Sequence, residues 1–370
     1  MSNTHNTKVA FIGTGIMGAA IAGHILDAGY ALTVNNHTKE KAEGLLARGA
    51  AWAETPAEAV KDADVVFTMV GYPTDVEEVY LASDGVLRAA KKGAYLIDLT
   101  TSSPQLARDI HDAAEVADVH AFDCPVTGGQ AGAEAGTLTL ILGAAEKDAA
   151  PVLPILQTFG KKLFYFDEPG AGQTAKLCNQ VSLASCMVGY ADALALAEQG
   201  HIDAHKVLDL MASGTGGSGA SASLAPKSLD GDYKPGFMAE HLRKDVGLAL
   251  RSAQDAELAL PGAETAFALF DTLCQIGGAR MGTQALTLLY AEEGDAAAAG
   301  LDWSLLDAEP GEDGCGCDGE CGCGGHGSEG GHECCGGHGE GHGHGDGHEC
   351  CGGHGEGHGS GEHCCCHGEA

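Results

Sequence analysis

The chain has 370 residues, with 20 Lys+Arg against 52 Asp+Glu and a formal net charge of −32. That balance excludes nucleic-acid phosphate as a partner, because such binding rests on clustered Lys and Arg. No apolar run reaches the roughly 18–20 residues a membrane span needs, and the polar Met1–Lys8 stretch carries no secretory apolar core.

In chain order, seven short runs rich in β-formers read as strands: Val9–Ile12, Ala31–Val34, Asp64–Met69, Tyr95–Asp98, His120–Asp123, Leu138–Leu142 and Leu163–Phe166. Amphipathic stretches at Lys39–Ala47, Pro104–Ala117 and Lys147–Phe159 alternate with them. Such alternation predicts an α/β fold, a doubly wound parallel sheet with helices on both faces. After Gly170 the strand signal stops. Gln173–Gln199 predicts one long helix ended by Gly200, followed by helices near Ala204–Ala212, Ala239–Gln254, Pro261–Gln275 and Gly282–Glu292. The expected organisation is a Rossmann domain over residues 1–168, an all-α domain over 169–305, and a disordered tail over 306–370. Only Cys124, Cys178, Cys186 and Cys274 precede that tail, a frequency that suits buried thiols in a reducing, cytoplasmic setting.

The first strand runs into Gly13-Thr14-Gly15-Ile16-Met17-Gly18 and then an apolar helical pattern. In this context Gly13 allows the tight turn, Gly15 the close approach of a pyrophosphate, and Gly18 close helix–strand packing. The helix N-terminus adds free amides and a dipole that favour phosphate. Cofactor choice is read at the end of the second strand, where an NAD-specific site usually places an acidic residue on the ribose. Asn36, His37 and Thr38 stand there instead, so NADP is preferred over NAD.

Three further motifs follow in order: Asp123 to Gly129 with Gly132-Ala133 and Gly136-Thr137-Leu138; Gly170 to Gln180 with Lys176; and Phe237 with Lys244-Asp245. Together with the glycine turn they resemble the β-hydroxyacid dehydrogenases, typified by 3-hydroxyisobutyrate dehydrogenase, over about residues 7–290. The resemblance implies hydride exchange between a small 3-hydroxy acid, or its semialdehyde, and NAD(P), with Lys176 as general acid/base. It implies that Thr127, Gly128, Gly129, Asn179 and Gln180 bind the substrate carboxylate and its neighbours. Ile16, Met17, Met69, Val70, Asp75, Thr101, Phe237 and Lys244 then join the glycines in contacting cofactor. Lys176, Asn179 and Gln180 at i, i+3 and i+4 share one helix face. Lys244 is a candidate second cation that would help Lys176 shed its proton. A homodimer or homotetramer is implied as well.

This chain departs from the pattern at several points. Thr127 stands where Ser is usual, Gln180 where a second Asn is usual, Gly71 where Pro is common, and His37 where NADP users often carry Arg. The small-residue run Gly214–Ser223 predicts a roomy pocket. Tartronate semialdehyde and succinic semialdehyde are therefore open as substrates beside 3-hydroxyisobutyrate.

The tail contains the run His332–Gly343 and the same run again at His348–Gly359. Its candidate ligands are Cys315, Cys317, Cys321, Cys323, Cys334, Cys335, Cys350, Cys351, Cys364, Cys365 and Cys366, with His332, His338, His342, His348, His354 and His358. Thiolate and imidazole select Zn or Ni over Mg or Ca. The spacings do not match a zinc finger, so exchanging sites that take no part in catalysis are expected. A metal-buffering or metallochaperone protein carried on a dehydrogenase body is the alternative reading of the whole chain.

Overall fold

The computed structural model describes residues 6–306. The tail, with all of its candidate metal ligands, lies outside the described residues.

Strands β1 (Lys8–Ile12), β2 (Ala31–Asn35), β3 (Ala51–Trp52), β4 (Val65–Thr68), β5 (Tyr95–Asp98) and β6 (His120–Asp123) form one sheet in the order β3-β2-β1-β4-β5-β6. Every pairing in it is parallel. The crossovers carry α1 (Ile16–Asp27), α2 (Glu43–Leu46), α3 (Pro56–Val60), α4 (Pro73–Leu81), α5 (Val86–Ala89) and α6 (Pro104–Val116). This is the doubly wound order of a dinucleotide-binding sheet, with its switch point at the carboxyl ends of β1 and β4. Alternation along β1 sends Val9 and Phe11 to one face and Ala10 and Ile12 to the other, and both faces are buried. Phe11, Phe67 and Phe159 are fully buried in one aromatic cluster. Each contributes about 1.5–3 kcal/mol of burial free energy.

A second, three-stranded sheet follows, made of β7 (Val126–Thr127), β8 (Leu138–Leu142) and β9 (Gly160–Tyr165). Here β7 runs antiparallel to β8, and β9 parallel to it. Three helices, α7 (Gly129–Glu134), α8 (Glu146–Ala149) and α9 (Leu153–Phe159), surround it. The predicted strands at Leu138 and Leu163 thus belong to this separate sheet and do not extend the first. The predicted helix Lys147–Phe159 is two helices, because Pro154 can sit only in a first turn and so opens α9. Strands β3 and β7, with two residues each, were not predicted; so short a run has no readable period.

The helical part holds α10 (Ala171–Gln199), α11 (Ala204–Ala212), α12 (Gly219–Ser223), α13 (Ala225–Leu229), α14 (Ala239–Asp255), α15 (Pro261–Leu273) and α16 (Glu293–Ala298). Predicted helix Gly282–Glu292 is a 3₁₀ segment, Thr283–Tyr290. α10 spans about 43 Å at 1.5 Å per residue and is the central element. By length and composition α10 meets the requirement for a bilayer span, contrary to the expectation from uninterrupted apolar runs. Its Ala184, Met187, Tyr190 and Ala191 pack in one core with Leu242, Val246, Ala266 and Phe270 of α14 and α15, so part of its apolar content builds the domain interior.

Candidate active site

The glycine turn has the shape a pyrophosphate requires. Gly13 is at φ +93°, and a Cβ there would collide with the Met69 carbonyl. A Cβ on Gly18 would strike the Gly13 carbonyl, so α1 packs this closely on the turn after β1 only because Gly18 has no side chain. Gly15 caps α1 and has open space where its Cβ would be. No side chain caps α1, and its first turn holds no acidic residue. These backbone amides are therefore oriented to receive an anion. Ile16 is exposed at the first turn, while Met17 packs on the core. Met69 and Val70 form the opposing wall, where Val70 N–H donates to Thr100 Oγ1 at 3.0 Å.

At the end of β2, Asn36 Oδ1 accepts from Thr14 N–H at 3.0 Å and Asn36 Nδ2 donates to the Thr38 carbonyl at 2.8 Å. Asn36 thus braces the glycine turn. His37 and Thr38 are exposed beside it. Asp75 is committed to its own loop: its carboxylate accepts from Gly71 N–H at 3.1 Å and Tyr72 N–H at 2.9 Å, so it shapes the groove wall through the backbone.

Lys176 lies in the second turn of α10 and is only 6% exposed. Burial pulls its amine down to about 8; the Asp245 carboxylate opposes that change and the Lys244 ammonium assists it. Gln180, one turn on, is buried, and its Nε2 donates to Asp245 Oδ2 at 2.7 Å. Asn179 is exposed, so the three polar residues of this segment are not equally placed. Lys244 Nζ donates to the Thr101 carbonyl at 2.7 Å and stands 3.2 Å from Asp245 Oδ1, an ion pair without hydrogen-bond alignment. Thr101 follows β5, so this contact ties α14 to the carboxyl edge of the first sheet. Phe237 lies just before α14, with its ring 6.4 Å from that of His241.

Several polar residues that set this geometry escaped the sequence reading. Asp123, at the end of β6, accepts Gly170 N–H at 2.8 Å and Gln173 N–H at 2.6 Å, which fixes the first turn of α10. Gln173 accepts from Ser102 N–H at 2.9 Å and donates to the Thr100 carbonyl at 2.7 Å. Asp98, paired in register with Asp123, accepts from Thr68 Oγ1 at 2.8 Å and is pushed up to about 6, chiefly by burial. Asp245 is the remaining one; it sits on the apolar stripe of α14 between Leu242 and Val246, where a carboxylate breaks the pattern. Its adjacency to Lys244 was visible in the sequence, but its burial was not.

The Thr127 turn is half-buried, and Gly128 and Gly129 take φ of +134° and +61°. A Cβ on Gly129 would come within 3.7 Å of the Gly236 carbonyl, which brings this turn against the residue preceding Phe237. Consecutive amides in such a turn form an anion nest. Among the described residues no group of three or more His, Cys, Asp or Glu has metal-site geometry.

Comparison with known proteins gives the family of this chain. Residues 8–166 match the NAD-binding domain of 6-phosphogluconate dehydrogenase, and residues 170–290 match the NAD-binding segment of NADP-dependent 3-hydroxyisobutyrate dehydrogenase. A 3-hydroxyisobutyrate dehydrogenase of Pseudomonas aeruginosa is 34% identical over 276 residues, covering 73% of this chain and 93% of that protein. The chain belongs to the β-hydroxyacid dehydrogenase family. As a member of that family it is an NAD(P)-dependent oxidoreductase. An NAD-dependent L-serine dehydrogenase of the same organism is 36% identical over 277 residues, again covering 73% and 93%. Among solved structures, Mycobacterium tuberculosis 3-hydroxyisobutyrate dehydrogenase with L-serine superposes with a TM-score of 0.72 at 30% identity, covering 77% of this chain and 99% of that one. The family reading and the α/β-then-helical fold class therefore stand as expected from the sequence.

Proposed function

We propose that this dehydrogenase interconverts a small 3-hydroxy acid and its semialdehyde, with Lys176 as general acid/base and NADP favoured over NAD. Residues 1–168 act as the cofactor-binding domain and 169–305 as the substrate and dimerisation domain. The observation that carries the reading is the buried amine of Lys176, beside a carboxylate and a second cation and one turn beyond a helix start anchored on β6. With a proton affinity near neutrality, one amine serves both directions. As ammonium it gives a proton to the carbonyl oxygen of a semialdehyde; as free amine it takes the hydroxyl proton of the alcohol. When bound, the nicotinamide supplies or accepts the hydride. Gly13, Gly15 and Gly18 hold the pyrophosphate, with Ile16, Met17, Met69 and Val70 lining the groove. His37 and Thr38 reach the 2′-phosphate, with Asn36 holding the turn between them. Thr127, Gly128, Gly129 and Asn179 take the substrate carboxylate, and Thr101, Lys244 and Phe237 border the nicotinamide end.

Proteins similar to this chain act on hydroxyisobutyrate or carry L-serine, both small 3-hydroxy acids with a free carboxylate. The test is a screen of C3–C5 hydroxy acids and semialdehydes, serine included, with NADH and NADPH, followed by absorbance of the reduced ring. Turnover confined to 3-hydroxy acids and their semialdehydes supports the assignment; activity on none of them removes it. A kcat/KM for NADH equal to or above that for NADPH removes the NADP preference.

A second role is proposed for the tail. The family matches end at residue 290, and the Cys/His run repeated at His332 and His348 lies beyond them. Such a ligand set takes up thiophilic divalent ions such as Zn or Ni. Native mass spectrometry at micromolar metal gives adducts of the full chain that a 1–310 truncation lacks; equal metal uptake by both forms overturns it.

A further inference from the structure

The departure at Gln180 has a structural consequence of its own. A residue whose side chain is to touch substrate needs a free polar end, yet Gln180 is 1% exposed and its amide donates to Asp245. Asp245 is 2% exposed and is reached from both sides: Gln180 Nε2 at 2.7 Å on one oxygen and Lys244 Nζ at 3.2 Å on the other. A buried carboxylate is tolerated only when its charge is shared among donors. Lys176 is one turn from Gln180 on the same helix, and among the described residues it has no ion-pair partner within 4 Å.

We propose that Gln180 is a positioning residue: its amide and the Lys244 ammonium hold the Asp245 carboxylate between them, so that Lys176 keeps an unpaired amine free for substrate. This deepens the reaction proposed above and rests on it. The longer Gln arm matters because it reaches across from α10 to α14, where an Asn would stop one carbon short. Lys244 acts on both partners at once, because it pairs with Asp245 and is itself fixed by the Thr101 carbonyl at the sheet edge. Docking of α14 against the sheet therefore also places the clamp. Of the other charged or titratable groups, His241 on α14 feels the charges of Lys244 and Asp245, and the Tyr72 ring stands 6.0 Å from Lys244 Nζ, while Asp123 on β6 is bonded to the first turn of α10 and Arg108 on α6 to Gln105. Among the described residues, the Gln180 amide is the one hydrogen-bond donor that α10 offers to the α14 carboxylate.

Two variants of the intact chain move the protonation of Lys176 in opposite directions. Gln180→Met keeps the volume and removes the donor, so Asp245 turns its charge toward Lys176 and favours the ammonium. The limb of the kcat–pH profile for alcohol oxidation then moves up by about 0.5–1 unit. Oxidation at pH 7 falls several-fold, while semialdehyde reduction at pH 7 is held. Asp245→Asn keeps the shape and removes the charge, so the limb moves down by about 1 unit. Thermal melts and cofactor titration confirm folding; if the first variant does not fold, the isosteric second carries the test. A limb unmoved in both overturns the proposal, as does a tenfold rise in substrate KM with an unmoved limb in Gln180→Met, which would make Gln180 a substrate contact. Should wild-type protein turn over none of the screened substrates, the proposed reaction fails instead. The ¹⁵N shift of Lys176 Nζ, followed against pH, still reports both displacements without turnover.

Discussion

Two helices of this protein start at the carboxyl ends of parallel strands, and their first turns are treated in opposite ways. α1 begins at Gly15 with no side-chain cap and no acidic residue in its first turn. α10 begins at Gly170, and the carboxylate of Asp123 accepts from both the Gly170 and Gln173 amides. The unpaired amides and dipole at a helix start favour negative charge in both cases. At α1 no side chain of the protein fills that capacity; at α10 the carboxylate of Asp123 does. In the proposed reaction the open end binds the cofactor and the closed end positions Lys176. A closed end also holds Lys176 within one turn of a rigid anchor, the support that the proposed role of its amine requires.

The comparison can be broken most sharply at the residue the closed end supports. Lys176→Met lowers kcat by about a thousandfold, the scale of a lost general acid/base, while cofactor affinity measured by fluorescence titration stays within twofold. An active variant would remove the amine from the mechanism. Next in size is the anchor itself. Asp123→Asn replaces one acceptor by a donor facing a backbone N–H and costs about 2–3 kcal/mol in urea unfolding, with kcat falling as α10 loosens. Equal stability would mean that the carboxylate does not close that helix end.

Asp98 offers a third measurement, because it lies in register beside Asp123 and its carboxyl is raised from 3.8 to about 6. A folded-state value above the unfolded one means that the native protein holds the extra proton between those values. The contribution to stability is therefore complete below pH ~4 and is lost as pH rises through ~6. Asp98→Asn flattens the stability–pH curve over that window, by at most about 2–3 kcal/mol at an interior site; an unchanged slope in chemical denaturation would contradict it. The smallest effect tests the open end. Gly15→Ala meets no atom of the fold, so its melting temperature is unchanged while cofactor dissociation rises by about tenfold, because the methyl group occupies the approach of the pyrophosphate. Gly13→Ala, whose Cβ strikes Met69, should lower melting temperature as well, and the pair separates lost binding from lost fold.

Most of the sheet and the long helix were legible because their signals are local. Fully buried β-branched runs such as Val65–Thr68 announce central strands, and the glycine turn announces the start of α1 after β1. Lys176 was singled out through its motif, while its burial came only with the fold. Asn36, Asp75 and Gln180 were singled out as ligand contacts, whereas in the fold their side chains bond to the turn, to the α4 loop and to Asp245 respectively. Asp123, Gln173 and Asp245 stood inside motifs that gave them no role of their own, and Asp98 had no local mark at all, since an Asp at a strand end or on a helix is ordinarily solvated.

By itself the amino-acid order determined the periodicities, the glycine positions where backbone must approach backbone, and therefore the doubly wound sheet followed by helices. Those properties depend on neighbours within a few residues, where propensity and alternation act. Tertiary structure alone decided which polar groups lose water and which partners replace it, because Asp123 meets Gly170 across 47 positions and Gln180 meets Asp245 across 65. The protonation of Lys176 follows from that second kind of information. A charge senses every dipole packed around it, however distant along the chain.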